Sequence, residues 1–182
     1  TLKIGDATAG PIDPLDLTSS IALKFVVGMN YTSLDPVTSI IAFVSTSTTG
    51  QSINFGGKTT PSVAFNGAGG YWNLKSALTT GVTSTVTLTN GTLDTNSQAV
   101  SCGLFSSNNA NTRTLRLNSS SVTLTGTGNV WNVIASLTLS SNLSTITIND
   151  ATVAAKTFAG GGKTTYYNIT FSGDNITVTG NN

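Results

Sequence analysis

Apolar and hydroxyl residues alternate along much of this chain, in short runs that end at glycine. Val86-Thr87-Leu88-Thr89-Asn90-Gly91 is one such run. Val122-Thr123-Leu124-Thr125-Gly126 and Ile176-Thr177-Val178-Thr179-Gly180 follow the same grammar. A period of two sends successive side chains to opposite faces of a strand. Each run therefore predicts a strand with an aliphatic inner face and a hydroxyl outer one. The first positions of the runs, Val86, Val122 and Ile176, are offset from one another by multiples of 18. Recurrence at a fixed spacing predicts one strand-turn unit stacked on itself.

Further candidate strands centre on Ile53–Phe55, Val63–Phe65, Trp72–Leu74, Val100–Cys102, Leu115–Leu117, Trp131–Val133, Leu137–Leu139, Ile146–Ile148 and Tyr167–Phe171. Gly, Asn, Ser or Asp separates nearly every pair, which predicts an all-β fold. Two longer phrases also recur. Phe55-Gly56-Gly57-Lys58-Thr59-Thr60 is echoed by Gly160-Gly161-Gly162-Lys163-Thr164-Thr165, and Trp72-Asn73-Leu74 by Trp131-Asn132-Val133. A β-sandwich or jelly roll explains alternation but not recurrence. A right-handed parallel β-helix, with about 20 residues per turn and strands about 4.8 Å apart, explains both and is the favoured architecture. Its core is expected to hold Phe55, Phe65, Trp72, Leu88, Leu124, Trp131, Ile148, Phe171 and Val178.

Residues 1–47 read differently. They carry Pro11, Pro14 and Pro36 of the four prolines, and Asp6, Asp13, Asp16 and Asp35 of the seven acidic residues. Two apolar runs, Ile21–Val27 and Ile40–Val44, predict strands within this part. A solenoid end exposes an edge that must be covered. The division is therefore a capping or attachment region over 1–47 and a β-helix repeat domain over 48–182.

Only 8% of residues are charged, glutamate and histidine are absent, and the net charge is +1. No field of one sign is available to hold nucleic acid or an anionic membrane, so neither is an expected partner. No apolar run approaches the ~20 residues of a membrane-spanning helix. The single cysteine, Cys102, alternates with Val100 and Leu104 and reads as a small buried residue.

The same composition narrows the chemistry. One cysteine without histidine cannot build a structural zinc site. Asp6, Asp13 and Asp16 read as solvated turn residues rather than a calcium trio. No metal or other cofactor is expected. A Ser-His-Asp triad has no histidine to use. Glycoside hydrolysis needs two carboxyl groups across the bond. Asp94 and Asp174 are the one pair considered for it, and each reads more simply as a turn residue. No catalytic residue is assigned, and a polysaccharide depolymerase is the least favoured reading. Gly56-Gly57-Lys58-Thr59 resembles the end of a phosphate-binding loop, but Ser52 stands where that loop needs glycine. It reads as a solenoid corner.

Sugars stack on aromatic rings and bond to Asn, Thr and Ser. Trp72 shares a face with Leu74, and Trp131 with Val133, so both indoles are expected inside. Tyr71 and Tyr166 remain as candidate glycan contacts. Tyr166 is expected to point outward, and Tyr167, aligned with Ile169 and Phe171, inward. Outward threonines at 85, 87 and 89, at 123 and 125, at 145 and 147, and at 177 and 179 fit either an ice-binding face or an ordinary strand surface.

The stretches Val63–Leu74, Leu88–Asp94 and Lys156–Gly162 resemble repeat-rich β-helical segments of phage virion proteins, especially tail fibres and related appendages. Together the similar stretches span roughly Ser52 to Gly180. The resemblance implies a structural virion component: a tail fibre, a spike or a capsid-surface decoration. It implies a location on the virion surface or outside the cell, and adhesion to a host surface glycan. It also implies a homo-oligomer, with a trimer suspected, attached to other virion proteins through residues 1–47. The alternative is a carbohydrate-binding module of a bacterial surface adhesin.

Overall fold

The structure is a computed structural model that describes residues 23–24, 40–163 and 165–180. The expectations placed on Asp6, Asp13 and Asp16, and on most of the region 1–47, lie outside those residues. Among the described residues every regular element is a strand, and every strand pairing is parallel. The strands build a β-solenoid with three faces, visited in the same order on successive turns.

The first face contains Ile40–Phe43, the start of Ser62–Leu74, the start of Thr85–Asp94, Leu104–Ser107, Gly128–Val133, Lys156–Ala159 and Ile176–Thr179. The second contains Leu23–Lys24, Gln51–Asn54, the ends of the two long strands, Arg113–Arg116 and Thr138–Ser140. The third is a separate six-stranded sheet: Thr59–Thr60, Leu78–Thr80, Val100–Cys102, Ser121–Leu124, Thr145–Ile148 and Asn168–Phe171. Strand Ile40–Phe43 is already part of the stack, paired residue for residue with Ser62–Phe65.

One inward column on the first face follows the coils along the axis. Ile41 pairs with Val63, Val63 with Val86, Val86 with Phe105, Phe105 with Trp131, Trp131 with Phe158 and Phe158 with Val178. The coils are unequal. The step from Val86 to Phe105 is the shortest of the series and the step from Trp131 to Phe158 the longest, so the expected multiple of 18 is not the period. Val86 and Ile176 lie on the first face, whereas Val122 lies on the third, between Val100 and Ile146. Trp72 stands on the second face and Trp131 on the first. The recurring phrases are one strand grammar reused on different faces, because every face needs the same inward hydrocarbon.

The core runs down the axis. Trp72, Trp131, Phe43, Phe55, Phe65 and Phe158 are essentially fully buried. Register stacks the aromatic rings. Phe43 lies over Phe65 at 5.1 Å, Phe105 over Trp131 at 4.5 Å, and Trp131 over Phe158 at 5.9 Å. Burying each such side chain contributes about 1.5–3 kcal/mol. Two expected core residues are corrected. Phe171 is 46% exposed and Val178 41%. They continue the inward columns from Ile148 and Phe158, but they occupy the last rungs described, where no further described rung covers them.

Strands Leu78–Thr80 and Leu104–Ser107 escape the alternation pattern because their inward positions include hydroxyls. Thr80 and Ser107 are buried, as is Thr60 on a neighbouring rung. Such a hydroxyl can sit inside a wall by donating to the backbone of an adjacent coil. Thr60 Oγ1 donates to Thr79 O at 3.2 Å, and Ser107 Oγ to Leu88 O at 2.9 Å.

The corners are tight turns. Lys58 N donates to Phe55 O at 3.1 Å across Gly56 and Gly57, whose φ values are 62° and 72°. The same corner on later coils uses Asn96, Asn118 and Asn142, also at positive φ, where asparagine is the side-chain-bearing residue best tolerated. The Gly-Gly-Lys phrase is thus a corner, as its sequence predicts. Its later echo, Gly160–Lys163, turns at a different corner, against Val133 and Ile134.

Candidate functional site

A shallow trough of about 450 Å³ runs along the outer side of the first face. Two outward columns floor it. Ile40, Ser62, Thr85 and Leu104 form one, aligned by register and by the Thr85 N–H bond to Ser62 Oγ at 3.1 Å. Ala64, Thr87, Ser106 and Asn132 form the other. Asn129 closes the far end, beside a register shift between Asn129 and Trp131. No charged side chain lines the trough among the described residues.

On the second face, Tyr71 and Asp94 hold a polar cluster. Tyr71 Oη donates to Asp94 Oδ2 at 3.0 Å. The other carboxylate oxygen, Oδ1, accepts from Asn118 Nδ2 at 2.7 Å and from the Asn96 N–H at 2.8 Å. The Arg116 guanidinium lies over the Tyr71 ring, 5.5 Å from its centroid. Desolvation and the Asp94 carboxylate together push the Tyr71 phenol above its ordinary pKa, with Arg116 opposing them. Tyr71 therefore sits half-buried at the surface, with one ring face shared with Arg116 and its hydroxyl engaged.

The orientation expected for the other two tyrosines is reversed. Tyr166 turns inward against Trp131 and Phe158, with ring centroids 6.2 and 5.3 Å away. Its hydroxyl accepts from Trp131 Nε1 at 2.9 Å and donates to Gly160 O at 3.1 Å. Burial pushes its phenol up to about 12. Tyr167 is 58% exposed. Both tyrosines precede strand Asn168–Phe171, so the strand's alternation does not extend to them.

The outward threonines divide between faces. Thr85, Thr87, Thr177 and Thr179 are on the first, and Thr123, Thr145 and Thr147 on the third. The third face carries a hydroxyl column of its own, one residue per rung: Thr59, Thr79, Ser101, Thr123, Thr147 and Thr170.

Asp94 and Asp174 do not meet. Asp94 belongs to the coil of Val86 and Asp174 to the turn before Ile176–Thr179, four rungs further on. At about 4.8 Å per rung they are ~19 Å apart along the axis, against the roughly 5–10 Å of a glycosidase pair. Asp150 instead forms an ion pair with Lys156 at 3.1 Å. Lys156 is fully buried, and its ammonium also donates to the carbonyls of Thr152, Ala154 (2.9 Å) and Asp174 (3.0 Å). Arg113, equally buried, is held by Ser107 O at 2.6 Å, Ser107 Oγ at 2.7 Å and Asn111 O at 2.7 Å. These two cations tie corner loops to the wall. Among the described residues no three potential metal ligands cluster.

The sequence pattern does not single out the trough residues Thr87, Ser106 and Asn132. They belong to separate coils of unequal length, and only the stacking of those coils brings them into one column. No family model matches the chain, and neither a curated protein nor a solved structure matches it.

Proposed function

We propose that this chain is a structural rod of a virion surface, a fibre, spike or decoration segment, which also adheres to a host surface. The observation that carries the reading is the unbroken run of register partners from Ile41 to Val178. A continuous parallel ladder around a stacked aromatic core is a stiff, protease-resistant wall. Its outer columns of Ser, Thr and Asn form a low-charge surface on which contacts can be repeated. The resemblance to phage appendage segments supports the location. It also supports assembly of identical copies, with a trimer as the proposed state, and attachment through residues 1–47.

An antibody raised against the chain tests the location. In immunogold microscopy of the virus-like particle fraction of its source, label on appendages or capsid surface is expected. Label confined to cell envelopes would overturn the virion reading and leave the second one, a bacterial surface adhesin module. The uncharged trough on the first face supports the adhesive role that both readings share, wherever the rod is mounted.

A further inference from the structure

We infer that the trough on the first face binds a neutral glycan strand lying along the solenoid axis. The inference rests on the adhesive part of the function proposed above and assigns it a place and a ligand chemistry.

Three observations lead there. First, the trough spans five rungs, from Ile40 to Asn132. Four steps of about 4.8 Å make it ~19 Å long, the shape of a short extended oligomer rather than of a compact ligand. Second, the hydroxyls of Thr87 and Ser106 and the amide of Asn132 are adjacent on successive rungs. None of the three side chains has a hydrogen-bond partner among the described residues. Two outward amides elsewhere, by contrast, are engaged: Asn90 donates to Asn66 at 2.8 Å, and Asn118 to Asp94. Hydroxyls and a primary amide both donate and accept, so the column can answer sugar hydroxyls of either polarity.

Third, the lining is uncharged and includes Ile40, 54% exposed, and Leu104. Those aliphatic groups suit the C–H faces of a pyranose. A uronate or sialate carboxylate would lose its hydration in the trough and find no cation there. The cations of the coils that carry the trough are Lys58, Lys75, Arg113 and Arg116; the two arginines belong to the second face, with Arg113 buried, and the two lysines follow second-face strands at the corner beyond it. The Tyr71 site differs in kind, because its polar groups are occupied by one another.

The test is binding of the whole chain to an array of neutral and uronate-bearing oligosaccharides, followed by titration calorimetry with the best neutral ligand. Thr87→Val and Asn132→Ala keep the wall intact, which an unchanged Tm verifies. Each is expected to weaken binding up to about tenfold, while Tyr71→Ala changes it less than about twofold. Preference for acidic oligosaccharides overturns the inference. So does neutral binding that survives both trough variants but is lost in Tyr71→Ala; in that case adhesion stands and only its place is wrong. Absence of binding to every glycan removes the adhesive reading and this inference together. A wild-type oligomer that Thr87→Lys dissociates, without any glycan binding, assigns the trough to contacts between copies and also overturns it.

Discussion

The indole N–H of Trp131 donates to the hydroxyl of Tyr166 at 2.9 Å, with the indole fully buried. An indole in a core needs such a partner. Tyr166→Phe leaves that donor unsatisfied and is expected to cost about 1–3 kcal/mol, read as a lowered urea midpoint. Tyr166→Ala removes the ring packed on Phe158 as well and should cost more. Equal stability of wild type and Tyr166→Phe would show that the bond contributes nothing.

Asp150 and Lys156 predict an acid limb. The Thr152 hydroxyl, donating to Asp150 Oδ2 at 2.6 Å, is the main reason the carboxyl is held below its ordinary pKa, and Lys156 adds to it. A carboxyl with a lower pKa when folded stabilises fully above its unfolded value of about 4. That contribution fades as the pH falls through the folded value. Asp150→Asn should therefore be less stable than wild type near neutral pH, and the gap should close on acidification. Urea titrations at several pH values measure it; a gap that stays constant would refute the assignment.

Cys102 predicts the opposite limb. Burial pushes its thiol up to about 12, whereas an unfolded cysteine ionises near pH ~8.5. Its contribution is complete below that pH and is lost as the pH rises from there toward the folded value. Cys102→Ala should flatten the alkaline loss. Because the thiolate is the reactive form, iodoacetamide labelling of the native chain should be slow and should keep pace with unfolding in denaturant.

Two glycines separate backbone conformation from crowding. Gly57 has φ 72°, and an added Cβ would meet nothing within 4 Å. Gly57→Ala should cost only the left-handed conformation, about 1–2 kcal/mol. Gly91 has φ 78°, and its Cβ would lie 2.5 Å from Gly70 O and 2.6 Å from Gly67 O. Gly91→Ala should cost about 1–3 kcal/mol more. Thermal unfolding of the two variants side by side checks the order.

The inward residues are legible in the sequence wherever a strand carries plain alternation. Val63, Phe65, Trp72 and Leu74 are all buried as the pattern requires, and Cys102 is buried with them. The parallel solenoid is legible from recurrence, although the number behind the recurrence is accidental. Val86 and Val122 look alike because inward positions on different faces need the same hydrocarbon, not because they stack. Coil length is set at the corners, where local sequence records a turn but not how far the next rung lies along the chain. Tyr166 defeats the pattern because parity does not reach back past the start of its strand. The trough is invisible for the reason the period is: its column exists only once the unequal coils that carry Thr87, Ser106 and Asn132 are laid over one another.

The short step from Val86 to Phe105 and the long one from Trp131 to Phe158 both end in the same parallel interstrand pairing. In the longest coil, surplus chain leaves through the corner around Val153, which is 84% exposed. Such corners behave as expansion joints: they take up slack so that the wall need not. A foreign peptide spliced beside Val153 that leaves the carbonyls of Thr152 and Ala154 on Lys156 would be displayed as cargo at a fixed height on the rod, with the beams above and below left in place.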